Sequence, residues 1–292
     1  MNEVDTLIDV QRSFVGLRAS LAFTFRALDL KLDGSRLFDH LLLLVILQRT
    51  EASSESPSSI SIRSVADGLH LPHETARRHI SKLLDAHILR RHANGVVVAP
   101  GADIWDDYRR ALDQIVLDLD PLLASIDAAP LLLAGDAVER TFVAGAESRP
   151  RAAHTAFDYA LRTIDMLVEH GDNAHDGLIF GAILLGNFDA MSDGDLLAAD
   201  KAGGFNWQRA ALKPVQIGSI AATLGLSRSS VRRRTHRWLA GGRYVAGDGG
   251  LVISEQELTS PSFTDLMTKS RASITRLQND LRRLAVQTQA HR

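Results

Sequence analysis

Arginine is the residue type whose placement in this sequence carries the most chemistry. Arg228, Arg232, Arg233, Arg234 and Arg237 fall within one short stretch. Its helical period sets them against an apolar stripe of Val231, Thr235, Trp238 and Leu239. An earlier stretch has the same design. His73, Glu74, Arg77, Arg78 and Ser81 face outward, with Lys82 as a further basic group, and Ala76, Ile80, Leu83 and Leu84 face inward. A guanidinium is a planar fork that fits O6 and N7 of guanine or a phosphate. Ser229 adds a hydroxyl that can bond a base or a phosphate, and Arg90, Arg91 and Arg243, just beyond each stretch, suit phosphate. The plain alternative is ordinary solvated surface. In the later stretch no carboxylate lies four residues from an arginine, so pairing within the helix does not account for them.

Net charge is only −2, but it is unevenly spread. From Ile60 to Pro100 the balance is +3, from Pro214 to Ile253 it is +5, and the remainder carries −10. Basic charge gathered in two windows on an acidic body is the footprint of a protein that meets a polyanion locally.

Other chemistry is poorly supported. There is no cysteine, which excludes disulfides, thiolate metal sites and a thiol nucleophile. Histidines at 70, 73, 79, 87 and 92 cluster, but His73-Glu74 has no histidine at 77, so the zinc-protease spacing fails and these read as surface or DNA-facing groups. The acidic pairs Asp106-Asp107 and Asp172 with Asp176 stand without other catalytic signals. Nucleophile-elbow, phosphate-loop and dinucleotide motifs are missing. The sequence therefore predicts no enzyme activity, no metal and no cofactor. The most apolar run, Leu37 to Leu47, is too short to span a membrane, and no signal peptide opens the chain, so the expected location is cytoplasmic, at the nucleoid.

The elements that must hold these arginines repeat. VADGLHLPHETARRHISKLL lies without a gap over IAATLGLSRSSVRRRTHRWL, 155 residues later. Gly95 then falls on Gly250, and Leu112, Leu119, Leu122 and Ile126 fall on Met267, Ile274, Leu277 and Leu281. Upstream, Leu41 to Leu47 matches Leu178 to Leu184 at an offset of 137, which implies an 18-residue insertion within 189–213. Each repeat reads as helix, short helix, turn, helix, hairpin, long helix. Pro72 suits a helix start and Ser227 an N-cap, Asn94-Gly95 reads as a hairpin turn, and Gly241-Gly242 reads as a helix stop.

On VADGLHLPHETARRHISKLLDAHILRR and IAATLGLSRSSVRRRTHRWLAGGRYV the chain resembles the winged helix-turn-helix family, in the broad sense that includes MarR-, IclR- and GntR-type bacterial regulators. The resemblance covers about 40 residues in each half and names no subfamily. It implies that the helix after the turn enters the major groove and that the hairpin wing touches the backbone or minor groove.

The expected fold is mainly α, with two pseudo-symmetric winged helix-turn-helix units and long flanking helices. Residues 1–130 hold the first repeat (motif about 60–100), 131–150 a linker, and 151–292 the second repeat (motif about 214–254). Met267, Ile274, Leu277, Leu281 and Leu284 keep heptad spacing, which predicts a helical core within the chain and a homodimer seam. The expected role is a sequence-specific regulator of transcription on double-stranded DNA. A plasmid-type replication initiator and a tandem winged-helix scaffold for proteins are the rivals. The apolar helices leave room for an unknown small-molecule effector, although core packing is their simpler use.

Overall fold

The computed structural model describes residues 3–28, 37–51, 59–101, 103–128, 149–192, 194–195 and 212–290. The expected linker at 131–150 and the insertion within 189–213 lie largely outside the described residues. The chain is mainly helical, with two short two-stranded ribbons. In order the elements are α1 (Glu3–Leu28), α2 (Leu37–Glu51), α3 (Ile62–Gly68), α4 (His73–Asp85), β1 (Leu89–His92), β2 (Gly95–Val98), α5 (Ile104–Ala128), α6 (Arg149–His170), α7 (Ala174–Phe188), α8 (Ile217–Thr223), α9 (Arg228–Ala240), β3 (Tyr244–Gly247), β4 (Gly250–Ile253), α10 (Glu255–Leu258) and α11 (Pro261–Ala290).

The duplication is visible element by element. α3, α4, β1 and β2 recur 155 residues later as α8, α9, β3 and β4, and α2 recurs 137 residues later as α7. Ribbon register recurs too: Leu89 pairs with Val98, and Tyr244 with Ile253. Each ribbon also takes a bridge from the segment before its first short helix, Ile60 to Val96 and Val215 to Leu251.

The strand register corrects the hairpin reading. His92 pairs with Gly95 and Gly247 with Gly250, so the two-residue loops are Ala93-Asn94 and Asp248-Gly249. Gly95 is therefore a strand residue, and close approach explains it. A Cβ there would lie 2.5 Å from the Ile60 carbonyl oxygen, and one on Gly250 would lie 2.5 Å from that of Val215. Only glycine admits the bridging segment at this distance.

Two left-handed backbone positions also recur, with different residues. The turn between the paired helices is His70 (φ 46°) in the first repeat and Gly225 (φ 59°) in the second. The stop after the outward-facing helix is His87 (φ 57°) and then Gly242 (φ 77°). Part of the histidine cluster thus fills positions that ordinarily favour glycine.

The core lies where the repeats cross. α1 packs on α6, and both are flanked by α5 and α11, each long helix touching the first helix of both repeats. At the crossing the Tyr159 hydroxyl meets that of Ser20, which donates to the Gly16 carbonyl at 2.7 Å. α5 continues through Pro121. Met267, Ile274, Leu277 and Leu281 are all buried within the chain, and Leu284 is half-buried. The heptad seam expected to join two copies is filled by the protein's own α1 and α6. Heptad spacing marks an apolar face and cannot tell which helix covers it.

Candidate nucleic-acid interface

The outward helices α4 and α9 are placed by apolar stripes and by caps on α9 and on α3, the short helix before α4. Ser61 accepts the Ser64 amide at 3.0 Å to start α3, and Ser227 accepts the Ser230 amide at 3.2 Å to start α9. Ala76, Ile80 and Leu83 bury one face of α4, while Val231, Thr235 and Trp238 bury one face of α9. The opposite faces are open. His73, Arg77, Arg78 and Lys82 are exposed on α4, and Arg228, Ser229, Arg232, Arg233 and His236 on α9. Arg90 and Arg91 are exposed on β1, beside the buried Leu89.

The two faces differ electrically. Arg77 grips Glu74 with two hydrogen bonds of 2.8 and 2.6 Å, and its hydrogen bonding lowers the Glu74 carboxyl below its usual range. One of the expected cations on α4 is therefore already neutralised. On α9, Arg228, Arg232 and Arg233 have no carboxylate partner among the described residues.

Three of the expected DNA-binding residues are held elsewhere. Arg234 and Arg237 reach back to Asp176 on α7, at 2.8 and 2.6 Å. The Asp176 side chain is fully buried, and Arg234 is only 24% exposed, against 64% for Arg237. Arg234 is thus a structural tie, while Arg237 keeps an outward edge. Within-helix spacing missed this because the acid lies on another helix. The duplication carried the signal: Asp39 precedes Asp176 by 137 residues and His79 precedes Arg234 by 155. The tie recurs, with His79 Nδ1 on the Asp39 carboxylate. His79 is half-buried, so the reading of it as a surface or DNA-facing group is corrected. Beside the second tie, His175 is lowered to about 4, first by burial and then by Arg234.

Arg243, expected on phosphate, is instead a clamp inside the second unit. It donates to Glu257 at 3.0 and 2.9 Å and to the His170 carbonyl at 3.3 Å, and it stands 5.1 Å from the Trp238 ring centroid. His170 Nε2 and Glu257 are 2.8 Å apart, both almost fully buried. Burial alone would raise the Glu257 carboxyl, but bonds from His170 and Arg243 hold it at about 2. The first repeat has Ile88 at the position of Arg243 and lacks this clamp.

No family model, curated protein or solved structure matches the chain. Among the described residues, no helix is long and apolar enough to cross a membrane.

Proposed function

We propose that the chain is a sequence-specific double-stranded DNA-binding regulator of transcription, acting at the nucleoid through two winged-helix units of its own. The observation that carries this reading is the twofold recurrence of one arrangement: a short helix, a tight turn, a helix with an exposed basic face, and a ribbon. Helices of this kind read base edges in the major groove while phosphate contacts fix their register. Simple helix-turn-helix proteins obtain two reading helices by pairing two copies. Here α4 and α9 belong to one chain, and the crossing of α1 with α6 takes the place of a subunit interface.

The units contribute unequally in this reading. Arg228, Ser229, Arg232 and Arg233 of α9, with the outer edge of Arg237, supply most of the affinity. His73, Arg78 and Lys82 of α4 read a second, different sub-site, and Arg90 and Arg91 hold phosphate. Arg77 reaches DNA only by leaving Glu74.

Selection of bound genomic fragments, followed by a salt titration on the recovered site, tests the reading. Affinity should fall with a log–log slope of about −0.9 per phosphate neutralised. Replacing Arg232 and Arg233 with alanine should cost roughly 1–3 kcal/mol for each side chain that reads a base. A folded double variant that binds the site as tightly as the unmodified chain would remove α9 as the reader. Recovery of no fragment at low salt would end the DNA reading.

A further inference from the structure

Two grooves occupy equivalent places in the two repeats. One, of about 360 Å³, lies between α7 and the pair α1 and α5, with Arg18 and Arg26 on its wall. The other, of about 910 Å³, lies between the first unit and the pair α6 and α11. The lining residues Ala19, Ala22 and Arg26 of the first groove correspond to Asp158, Leu161 and Asp165 of the second, at one constant spacing along α1 and α6.

The arginines in the two grooves are treated differently. In the smaller one Arg18 donates to the Met191 carbonyl, and Arg26 pairs with Asp118 at 3.3 Å. In the larger one Arg162 has, among the described residues, a single long bond, 3.4 Å from Nε to the Ser273 hydroxyl, and its buried Nη2 has no hydrogen-bond partner there. Arg276 faces the same groove from α11, 66% exposed, and its one ion pair among the described residues is a 3.7 Å contact to Asp280. Burial first, and then the positive charge of Arg276, lower the Arg162 guanidinium from its ordinary value, against the opposing pull of Asp158 and Asp280. A buried donor left unpaired beside a like charge is unfavourable until an anion arrives.

The rest of the wall indicates what such an anion carries. Ser61 and Ser64 face the groove from the start of α3, and Leu69 and Leu161 give it apolar sides. Of its acids, Asp158 accepts a hydrogen bond from the Gln48 amide and keeps its charge. Asp165 is pushed up to about 6 by burial, and Arg162, Glu169 and His70 are the charged or titratable groups that act on it. A carboxyl in that range exchanges a hydrogen bond with a hydroxyl in either protonation state. The volume falls in the range of small-molecule sites.

We propose that this groove binds a small hydroxylated organic anion, with its carboxylate or phosphate between Arg162 and Arg276 and its hydroxyls on Ser61, Ser64 and Asp165. Such a ligand would join α3 of the first repeat to α6 and α11 of the second. The proposal concerns binding alone and stands whether or not the units engage DNA.

Calorimetric titration and thermal melting of the full chain test it. The probes are ribose 5-phosphate and gluconate as the two anion types, ribose as the neutral body, and inorganic phosphate as the bare headgroup. At about 10 mM, one or both hydroxylated anions should bind and raise Tm, and whichever does so assigns the headgroup. Ribose should leave Tm unchanged, and inorganic phosphate should bind at least about tenfold more weakly. Arg162→Gln and Arg276→Gln should each weaken binding about tenfold, the loss expected for one charge-assisted hydrogen bond. Arg26→Gln in the smaller groove should leave it unchanged, and hydrogen exchange across α3 should slow only with the binding anion. Binding by neither anion overturns the proposal, as does equal binding by both arginine variants. Equal affinity for inorganic phosphate overturns it as well, since that means an adventitious ion only.

Discussion

Asp176→Asn isolates the tie between α9 and the core. The substitution keeps the shape of the side chain, removes its charge and turns one acceptor into a donor facing a guanidinium. Asp176 is fully buried and accepts from Arg234 at 2.8 Å, Arg237 at 2.6 Å and Asn173 at 2.8 Å. Removing one partner of a buried pair costs about 3–5 kcal/mol. Arg237 is 64% exposed, so its share is screened and small. Arg234 is 24% exposed, and its buried Nε has no partner among the described residues, so most of the loss falls there. The expected cost lies at the lower end, about 3 kcal/mol. Asp39→Asn provides the internal comparison, because His79 can become neutral where an arginine cannot. It should cost about 1 kcal/mol, the value of an ordinary hydrogen bond. Urea unfolding followed by tryptophan fluorescence reads both, since the buried Trp238 reports on α9. A midpoint for Asp176→Asn within about 0.5 kcal/mol of the unmodified chain would refute the reasoning. So would an equal loss for Asp39→Asn.

Other outcomes follow from the duplicated positions and from the clamp. His70→Gly and His87→Gly should each stabilise the first unit by up to about 1 kcal/mol, because both histidines sit at positive φ where the second repeat has glycine. A lower urea midpoint in both variants would contradict this. Gly95→Ala and Gly250→Ala should each destabilise by about 1–3 kcal/mol, since the added Cβ would fall 2.5 Å from a backbone carbonyl oxygen, and an unchanged midpoint would refute the close approach. Glu257 ionises at about 2 in the fold, below its ordinary value of 4.5, so its contribution is complete above pH 4.5 and lost as pH falls toward 2. That contribution is roughly 3 kcal/mol, and Glu257→Gln should flatten the acid limb of the stability curve. An acid limb identical in variant and unmodified chain would show that the clamp is not the source.

What the sequence made legible followed from periodicity and repetition. The stripes on α4 and α9, the ribbons and the boundaries of the outward helices were readable because a 3.6-residue period and a constant offset are local properties. Contacts between elements were not. The period of α9 alone makes Arg234 and Arg237 DNA-facing cations, because their acid partner, Asp176, stands on α7. Arg243 reads as a phosphate contact from its place beside the ribbon, because His170 lies 73 residues before it and Glu257 stands beyond the ribbon on another helix. Dipeptide preference places Gly95 in a turn, whereas the neighbour that demands glycine, Ile60, lies outside the hairpin. The heptads of α11 gave an apolar face without naming its cover. Arg162 carried no sequence signal at all, since its unpaired nitrogen depends on the packing of α6 against α11.

The crossing of α1 and α6 has a genetic consequence. In a dimer of identical chains each substitution is imposed on both sides of the axis at once, so neither half can change alone. Joining the halves in one polypeptide lifts that restriction, and each position drifts singly. The pairs across the repeats differ in this way: histidine against glycine at two turns, isoleucine against arginine at the clamp, histidine against arginine at the tie. The halves are also present in fixed one-to-one ratio at any dilution, so no assembly step stands between synthesis of the chain and the paired arrangement.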